Sequence, residues 1–320
     1  MRCTEPETRY AREVHEPPSP VDAVCLVRPS ARVTSHSDPP TPRLRLPKHF
    51  EVVRPLDPIR YAQTHAIFEA ASDQRERIRD WLIATLPPRF AEIAGRPLRV
   101  LGVGVGDGSI DAPLAAALAA DERPVSYEGV EPHDASAARF LQALESLALP
   151  GLKAAASVSS FADFEGGGDR DLVHFIHSLY YVGDLGAALD HALRLLRPGG
   201  WLVALVSPRP PLSEVAAALA ERGGCPQWYA ESLDAQLASR GLSATRVTID
   251  ATLDISAIYA DPHGIGEQLF DFLAQVRTRE LSAATRDAIL AYLGEIAAPD
   301  HPTRVPHPVT AVMIRAPDAT

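Results

Sequence analysis

Residues 98–110 read Leu-Arg-Val-Leu-Gly-Val-Gly-Val-Gly-Asp-Gly-Ser-Ile, and no other stretch restricts the fold as tightly. Leu98, Val100, Leu101 and Val103 are apolar and β-prone, glycines stand at 104, 106 and 108, and an alanine-rich helical segment follows from Asp111. A strand that stops at glycines and turns directly into a helix leaves backbone N–H groups unpaired and lets a ligand approach the main chain. Val125-Ser-Tyr-Glu-Gly-Val-Glu131 then reads as a second strand ending in an acid. Two strands flanking a helix, with a carboxylate at the tip of the second, form a unit that holds an adenosine ribose by its hydroxyls.

The nicotinamide fingerprint G-x-G-x-x-G fits poorly, because the run from Gly104 brings its third glycine one place early. Asp107 and Asp111 also put negative charge where a pyrophosphate needs a helix N-terminus free of it. S-adenosyl-L-methionine has no phosphate and carries a cationic sulfonium and ammonium, so acids at this loop suit it. Asp171–Ile176 reads as a further strand, and His191–Val206 as helix, Pro-Gly-Gly turn and strand. In motif order and spacing most of the chain resembles the class I methyltransferases. That resemblance implies an α/β, Rossmann-like fold: a seven-stranded, mostly parallel sheet with a small helical cap.

The strands are expected near 98–103, 125–131, 153–157, 171–176, 200–206, 244–250 and 308–315, with helices near 109–120, 134–146, 184–196 and 229–240. This alternation is the pattern of a parallel sheet covered on both faces. Helical segments near 57–86, 207–227 and 255–306 exceed what the sheet needs, and supply a cap over the carboxyl ends of the strands, where ligands of open α/β sheets bind. Residues 1–50 are proline-dense with little apolar periodicity and read as a flexible leader, leaving 51–320 as the methyltransferase domain. Cys3, Cys25 and Cys225 are odd in number and widely spaced, which argues against a disulfide framework or a cysteine zinc cluster. No secretory signal pattern or bilayer-spanning apolar run is present, so the expected location is the cytoplasm. A net charge of −10 argues against a nucleic-acid substrate and for a small molecule. The oligomeric state stays open.

A narrower resemblance rests on Tyr61–Phe68, the Gly104 loop, Val130-Glu131-Pro132, the stretch Asp171–Asp184 (DLVHFIHSLYYVGD), Gly241-Leu242, Leu253–Ser256 and Asp271-Phe272. Over residues 57–316 the chain is similar to the histamine N-methyltransferase family. Its most specific part is His174–Val182 with the paired tyrosines. The resemblance implies that Gly104, Gly106 and Gly108 cradle the methionine part of the cofactor and that Glu131 binds the ribose. It places Ser160 (or Ser159) and Ile176 beside the adenine, and Tyr180 and Tyr181 at the reaction site. Tyr61, His65, Phe68, Gln74 and Phe272 fall at acceptor-binding positions. The departures are as informative. Gln74 stands where the family has an acceptor-binding carboxylate, His177 where it has a glutamine, His307 where it has an asparagine and His65 where it has a phenylalanine. Leu212 and Ala216 replace pocket tryptophans. The acceptor is therefore not expected to be histamine.

His65, His177 and His307 admit three readings: a divalent metal site, acid–base or polar recognition of the acceptor by His177 and His307, and ordinary packing. His174 is expected to face the sheet, and His301 lies in a loop without an evident partner. The function expected is methyl transfer to a small-molecule nitrogen of imidazole or amine type, in a biosynthetic setting. Two alternatives share the same residues: a cyclase or lyase that releases methylthioadenosine from the cofactor, and a non-catalytic cofactor-binding protein.

Overall fold

The computed structural model describes residues 42–47, 53–93, 95–222 and 227–317. Among these the strands are β1 (Leu98–Val103), β2 (Val125–Val130), β3 (Leu152–Ser157), β4 (Arg170–Ile176), β5 (Leu196–Val206), β6 (Thr245–Ile249), β7 (Thr252–Asp254), β8 (Arg304–Pro306) and β9 (Val309–Arg315). The helices are α1 (Pro58–Ala70), α2 (Gln74–Thr85), α3 (Asp111–Leu118), α4 (Asp134–Glu145) and α5 (Leu185–Leu195). They continue with α6 (Glu214–Arg222), α7 (Ala230–Ser239), α8 (Ser256–Ala260), α9 (Ile265–Ala274) and α10 (Ala283–Ile296).

The main sheet is seven-stranded in the order β3-β2-β1-β4-β5-β9-β6, with β9 antiparallel to both its neighbours and the other adjacent pairs parallel. This is the mixed, mostly parallel sheet expected of a class I methyltransferase. The period of two along each strand explains the core. Val100, Leu172, Val203 and Ala311 face one apolar cluster with α2, α3 and α4, while Leu101, Val173, Ala204 and Val312 face another with α5 and α7. β5 begins earlier than its apolar pattern shows. Leu196 already pairs with Arg170, and the Pro-Gly-Gly turn is absorbed by a register shift before Leu172 meets Trp201.

A third cluster unites Leu212, Val215, Leu253, Leu269, Leu273 and Leu293. The helical stretch expected at 57–86 is split between clusters. α1 is capped by Asp57, whose side chain accepts from the Arg60 amide, and sends Ile67 and Phe68 to the third cluster. α2 sends Ile78 and Leu82 to the sheet instead. The short ladder β7–β8 was not legible as strands. The Pro-rich leader falls outside the described residues except for 42–47, where Leu44 and Leu46 pack on the third cluster.

An ion pair straps α1 to α9. Arg60 donates twice to Asp271 Oδ2, at 2.9 and 2.6 Å, and Thr278 donates its amide and hydroxyl to Oδ1, each at 2.7 Å. Asp271 is buried, so removing one partner strands a charge. Arg60→Ala, which leaves the Asp271 carboxylate buried without its cation, is expected to cost roughly 3–5 kcal/mol of stability in urea unfolding, and an unchanged midpoint would show the strap to be dispensable.

Candidate active site

The Gly104 loop after β1, Glu131 after β2 and Ile176 at the end of β4 come together at the carboxyl ends of the strands. Gly104, Gly106 and Gly108 all take positive φ, at 68°, 57° and 76°. A Cβ on Gly104 would stand 2.5 Å from Ser178 Cβ, so only glycine fits where the loop crosses the end of β4. Glu131, at the tip of β2, accepts from the Gly106 amide at 3.0 Å and the His133 amide at 3.1 Å. The same carboxylate thus shapes the loop, and its remaining lone pairs are of the kind that take ribose hydroxyls. Beside it an open cleft of about 370 Å³ is lined by Arg75, Gly104, Gly106, Asp111, His174 and Ile176.

Ser160 is tied to Asp163 by a 2.7 Å hydrogen bond, whereas the Ser159 hydroxyl is buried without a partner. Of the two registers for an adenine contact, Ser159 has the free hydrogen-bonding capacity. The glycine cradle, the ribose-type carboxylate and the orphaned hydroxyl fit S-adenosylmethionine. Arg75 is the one cation among the described residues lining the cleft, which is too few for a pyrophosphate and suits a cofactor without phosphate.

His174 does not simply face the sheet. Its Nε2 lies 2.7 Å from the Tyr127 hydroxyl, which donates to Asp111 Oδ1 at 2.7 Å, and all three side chains are buried at the floor of the cleft. Burial pushes Asp111 up to about 7 and His174 down to about 3. In the sequence Asp111 was visible as an acid after the loop, but nothing linked it to Tyr127 or His174.

The other wall is aromatic. Phe272 packs against Tyr61, His65 and Phe68 at ring separations of 5.2, 5.3 and 4.6 Å, and Phe68 meets His307 edge-on at 5.0 Å. The Tyr61 and Tyr181 hydroxyls are 2.6 Å apart, joining α1 to the turn after β4. The structure therefore brings together Tyr61, His65, Phe68, Phe272, Tyr181 and His307.

Gln74 is elsewhere engaged: its amide nitrogen donates to the His307 carbonyl at 2.8 Å, so it positions His307 from behind. His65 lies 3.3 Å from Glu69, which also pairs with Arg75. His307 Nδ1 is 2.7 Å from the Ser72 hydroxyl, and burial lowers this histidine to about 4. His177 Nδ1 is 3.0 Å from the Tyr180 hydroxyl, which accepts from the Ser207 amide at 2.6 Å. Burial, reinforced by His307, Arg75 and His65, lowers His177 to about 3, and burial lifts Tyr180 to about 12. Among the described residues no group of three His, Cys, Asp or Glu side chains is placed to hold a metal ion. No such group includes His65, His177 and His307, so the metal reading of these three residues finds no support in the geometry of the described residues. His301 stays at the surface beside Asp300, away from this site. Leu212 and Ala216 are buried, Leu212 within the third cluster.

A methyltransferase domain family matches residues 71–247, more than half of the 320-residue chain. Histamine N-methyltransferase of Danio rerio is 25% identical over 256 residues, covering 71% of this chain and 84% of that protein. Histamine N-methyltransferase A of Xenopus laevis is 27% identical over 259 residues, covering 74% and 87%. The solved N-methyltransferase NodS from Bradyrhizobium japonicum WM9 aligns at 16% identity with a TM-score of 0.44, over 77% of this chain and 99% of that one. Among the described residues no helix is long and apolar enough to cross a membrane. The chain belongs to the class I S-adenosylmethionine-dependent methyltransferases, as a distant relative of the histamine N-methyltransferases.

Proposed function

We propose that this methyltransferase acts on a nitrogen of a small, planar acceptor, of imidazole or amine type, and that histamine is not its acceptor. One observation carries the reading. The wall of Tyr61, Phe68 and Phe272 suits a flat ring, while the nearby carboxylates are already committed, Asp271 to Arg60 and Glu69 to Arg75. The amide of Gln74, at the family's carboxylate position, is spent on the His307 carbonyl. An ammonium arm entering beside this wall meets carboxylates that already hold arginines.

When bound, S-adenosylmethionine supplies an electrophilic methyl group on a sulfonium. Glu131 holds the ribose, the main chain of the Gly104 loop holds the methionine arm, and Ile176 with Ser159 flanks the adenine. Tyr180 and Tyr181 border the reacting atoms, where an aromatic face favours a cation by roughly 0.5–2 kcal/mol. In-line displacement needs alignment more than acid–base help, and the aromatic wall fixes the plane of the acceptor. Burial holds His307 neutral, lowered to about 4, so it lines the pocket as a hydrogen-bonding imidazole rather than as a base, and the proton shed by the methylated nitrogen leaves to solvent.

The test is mass spectrometry of the protein with S-adenosylmethionine, alone and with a panel of imidazoles, amines and phenols. Acceptor-dependent S-adenosylhomocysteine from an imidazole or an amine other than histamine is the expected result. Turnover of phenols alone would overturn the nitrogen reading. Methylthioadenosine formed without any acceptor would replace methyl transfer with cyclisation.

A further inference from the structure

His177 has a protonation state set by its neighbours. The Tyr180 hydroxyl has one proton, and its oxygen already accepts the Ser207 amide at 2.6 Å. That proton is therefore donated to His177 Nδ1, 3.0 Å away. With Nδ1 accepting, the single proton of the neutral imidazole sits on Nε2. This nitrogen is shielded from solvent and has no hydrogen-bond partner among the described residues. The ring cannot turn away easily. Its backbone is held at φ +53°, the left-handed region, by a bond from the His177 amide to the Leu205 carbonyl at 3.0 Å. Burial and the surrounding His307, Arg75 and His65 oppose the charged form, so the imidazole is a neutral donor. A buried, oriented N–H left without an acceptor is costly, and such groups are retained where a ligand completes them.

Resting on the reading of a nitrogen acceptor, we infer that His177 is a fixed hydrogen-bond donor rather than a base, and selects acceptors that carry a carboxylate beside the nitrogen to be methylated. An N–H donor pairs only with a lone-pair atom. The nucleophilic nitrogen cannot be that atom, because its lone pair must face the sulfonium. A protonated amine has no lone pair at all. An oxygen on the acceptor is the partner that remains, and an anionic one is favoured by Arg75, which donates to Glu69 and Ser109 and still lies close enough to oppose a positive charge on His177. The imidazole at 177 therefore reverses the polarity of recognition: the chain reads an acid arm where a relative that binds histamine reads an amine.

Two measurements test this. Histidine-selective ¹⁵N NMR of the full chain near neutral pH, with His177 assigned by its loss in His177→Asn, reads the tautomer directly. A proton on Nε2 is expected, and a proton on Nδ1 would overturn the donor assignment whatever the enzyme methylates. The second uses one ring with three arms: imidazole-4-acetate, 4-methylimidazole and histamine, titrated into the protein saturated with S-adenosylhomocysteine. Imidazole-4-acetate is expected to bind at least tenfold more tightly than either other compound. His177→Phe should erase that preference, and His177→Asn, which keeps an N–H donor and tolerates the positive φ, should restore part of it. Equal or tighter binding of histamine would sink the inference while leaving methyl transfer to nitrogen intact. Turnover of phenols alone in the earlier assay would sink that reading, with the tautomer still readable.

Discussion

Replacing Glu131 with alanine is expected to weaken S-adenosylhomocysteine binding by at least two orders of magnitude. A carboxylate that takes two ribose hydroxyls makes two charge-assisted hydrogen bonds, each worth about 1.5–3 kcal/mol. The variant loses more than that pair. Glu131 also accepts from the amides of Gly106 and His133, so the glycine loop loses the anchor that holds its left-handed turn. Glu131→Gln separates the two contributions. It keeps the size, but its –NH₂ must face one of the amide donors, so the loop is disturbed even where one acceptor oxygen remains. Calorimetric titration measures affinity, and thermal unfolding without ligand measures the cost to the loop. An alanine variant binding within threefold of the parent would remove Glu131 from the cofactor site.

Acidification should unfold the protein well before its surface carboxylates are protonated. His174, His177 and His307 are lowered to about 3, 3 and 4. Each has a folded-state pKa below its unfolded value near 6.5, so each contributes stability that is present above 6.5 and drains as pH falls toward the folded value. Asp111 acts oppositely. Raised to about 7 from 3.8, it favours the folded state at low pH, and that contribution is lost as pH rises from 3.8 through about 7. Between pH 6.5 and 4 the unfolded chain thus binds up to three extra protons at the histidines and the folded chain up to one at Asp111. The difference is a slope of up to roughly 3 kcal/mol per pH unit, reached only where all four groups contribute fully. Two units of acidification would then consume about 5 kcal/mol, the lower end of what a domain possesses. Urea midpoints measured from pH 7 to 4.5 should fall steeply below 6.5. His307→Asn should flatten the fall, and a midpoint constant to pH 4.5 would mean that these histidines reach solvent in the folded state.

The residues that were legible in sequence are those whose role is written in local chain geometry. The β1 strand, its glycines and the acid after β2 are contiguous motifs, and the Tyr180–Tyr181 pair follows β4 directly. Tyr61, His65 and Phe68 lie three or four residues apart, so their shared helix face was readable. What escaped depends on contacts between distant segments. The break between α1 and α2 is fixed by Ser72 and Asp73 bonding to Thr252, which no local pattern announces. The Asp111–Tyr127–His174 cluster draws on three elements, and the amide of Ser207 decides the tautomer of His177 from the far end of β5. Gln74 has a partner in the His307 backbone carbonyl, which sequence cannot locate.

The strap between α1 and α9 has a consequence for how such a chain diversifies. Tyr61, His65, Phe68, Phe272 and His307 all lie outside residues 71–247, the span shared with the family. The glycine loop and Glu131 lie inside it. The aromatic wall is thus drawn from the flanks of the chain, His177 facing it from inside the shared span, and the Arg60–Asp271 pair joins those flanks. Substitutions on that wall can drift without disturbing the cofactor machinery, so long as the ion pair continues to close the two ends around it.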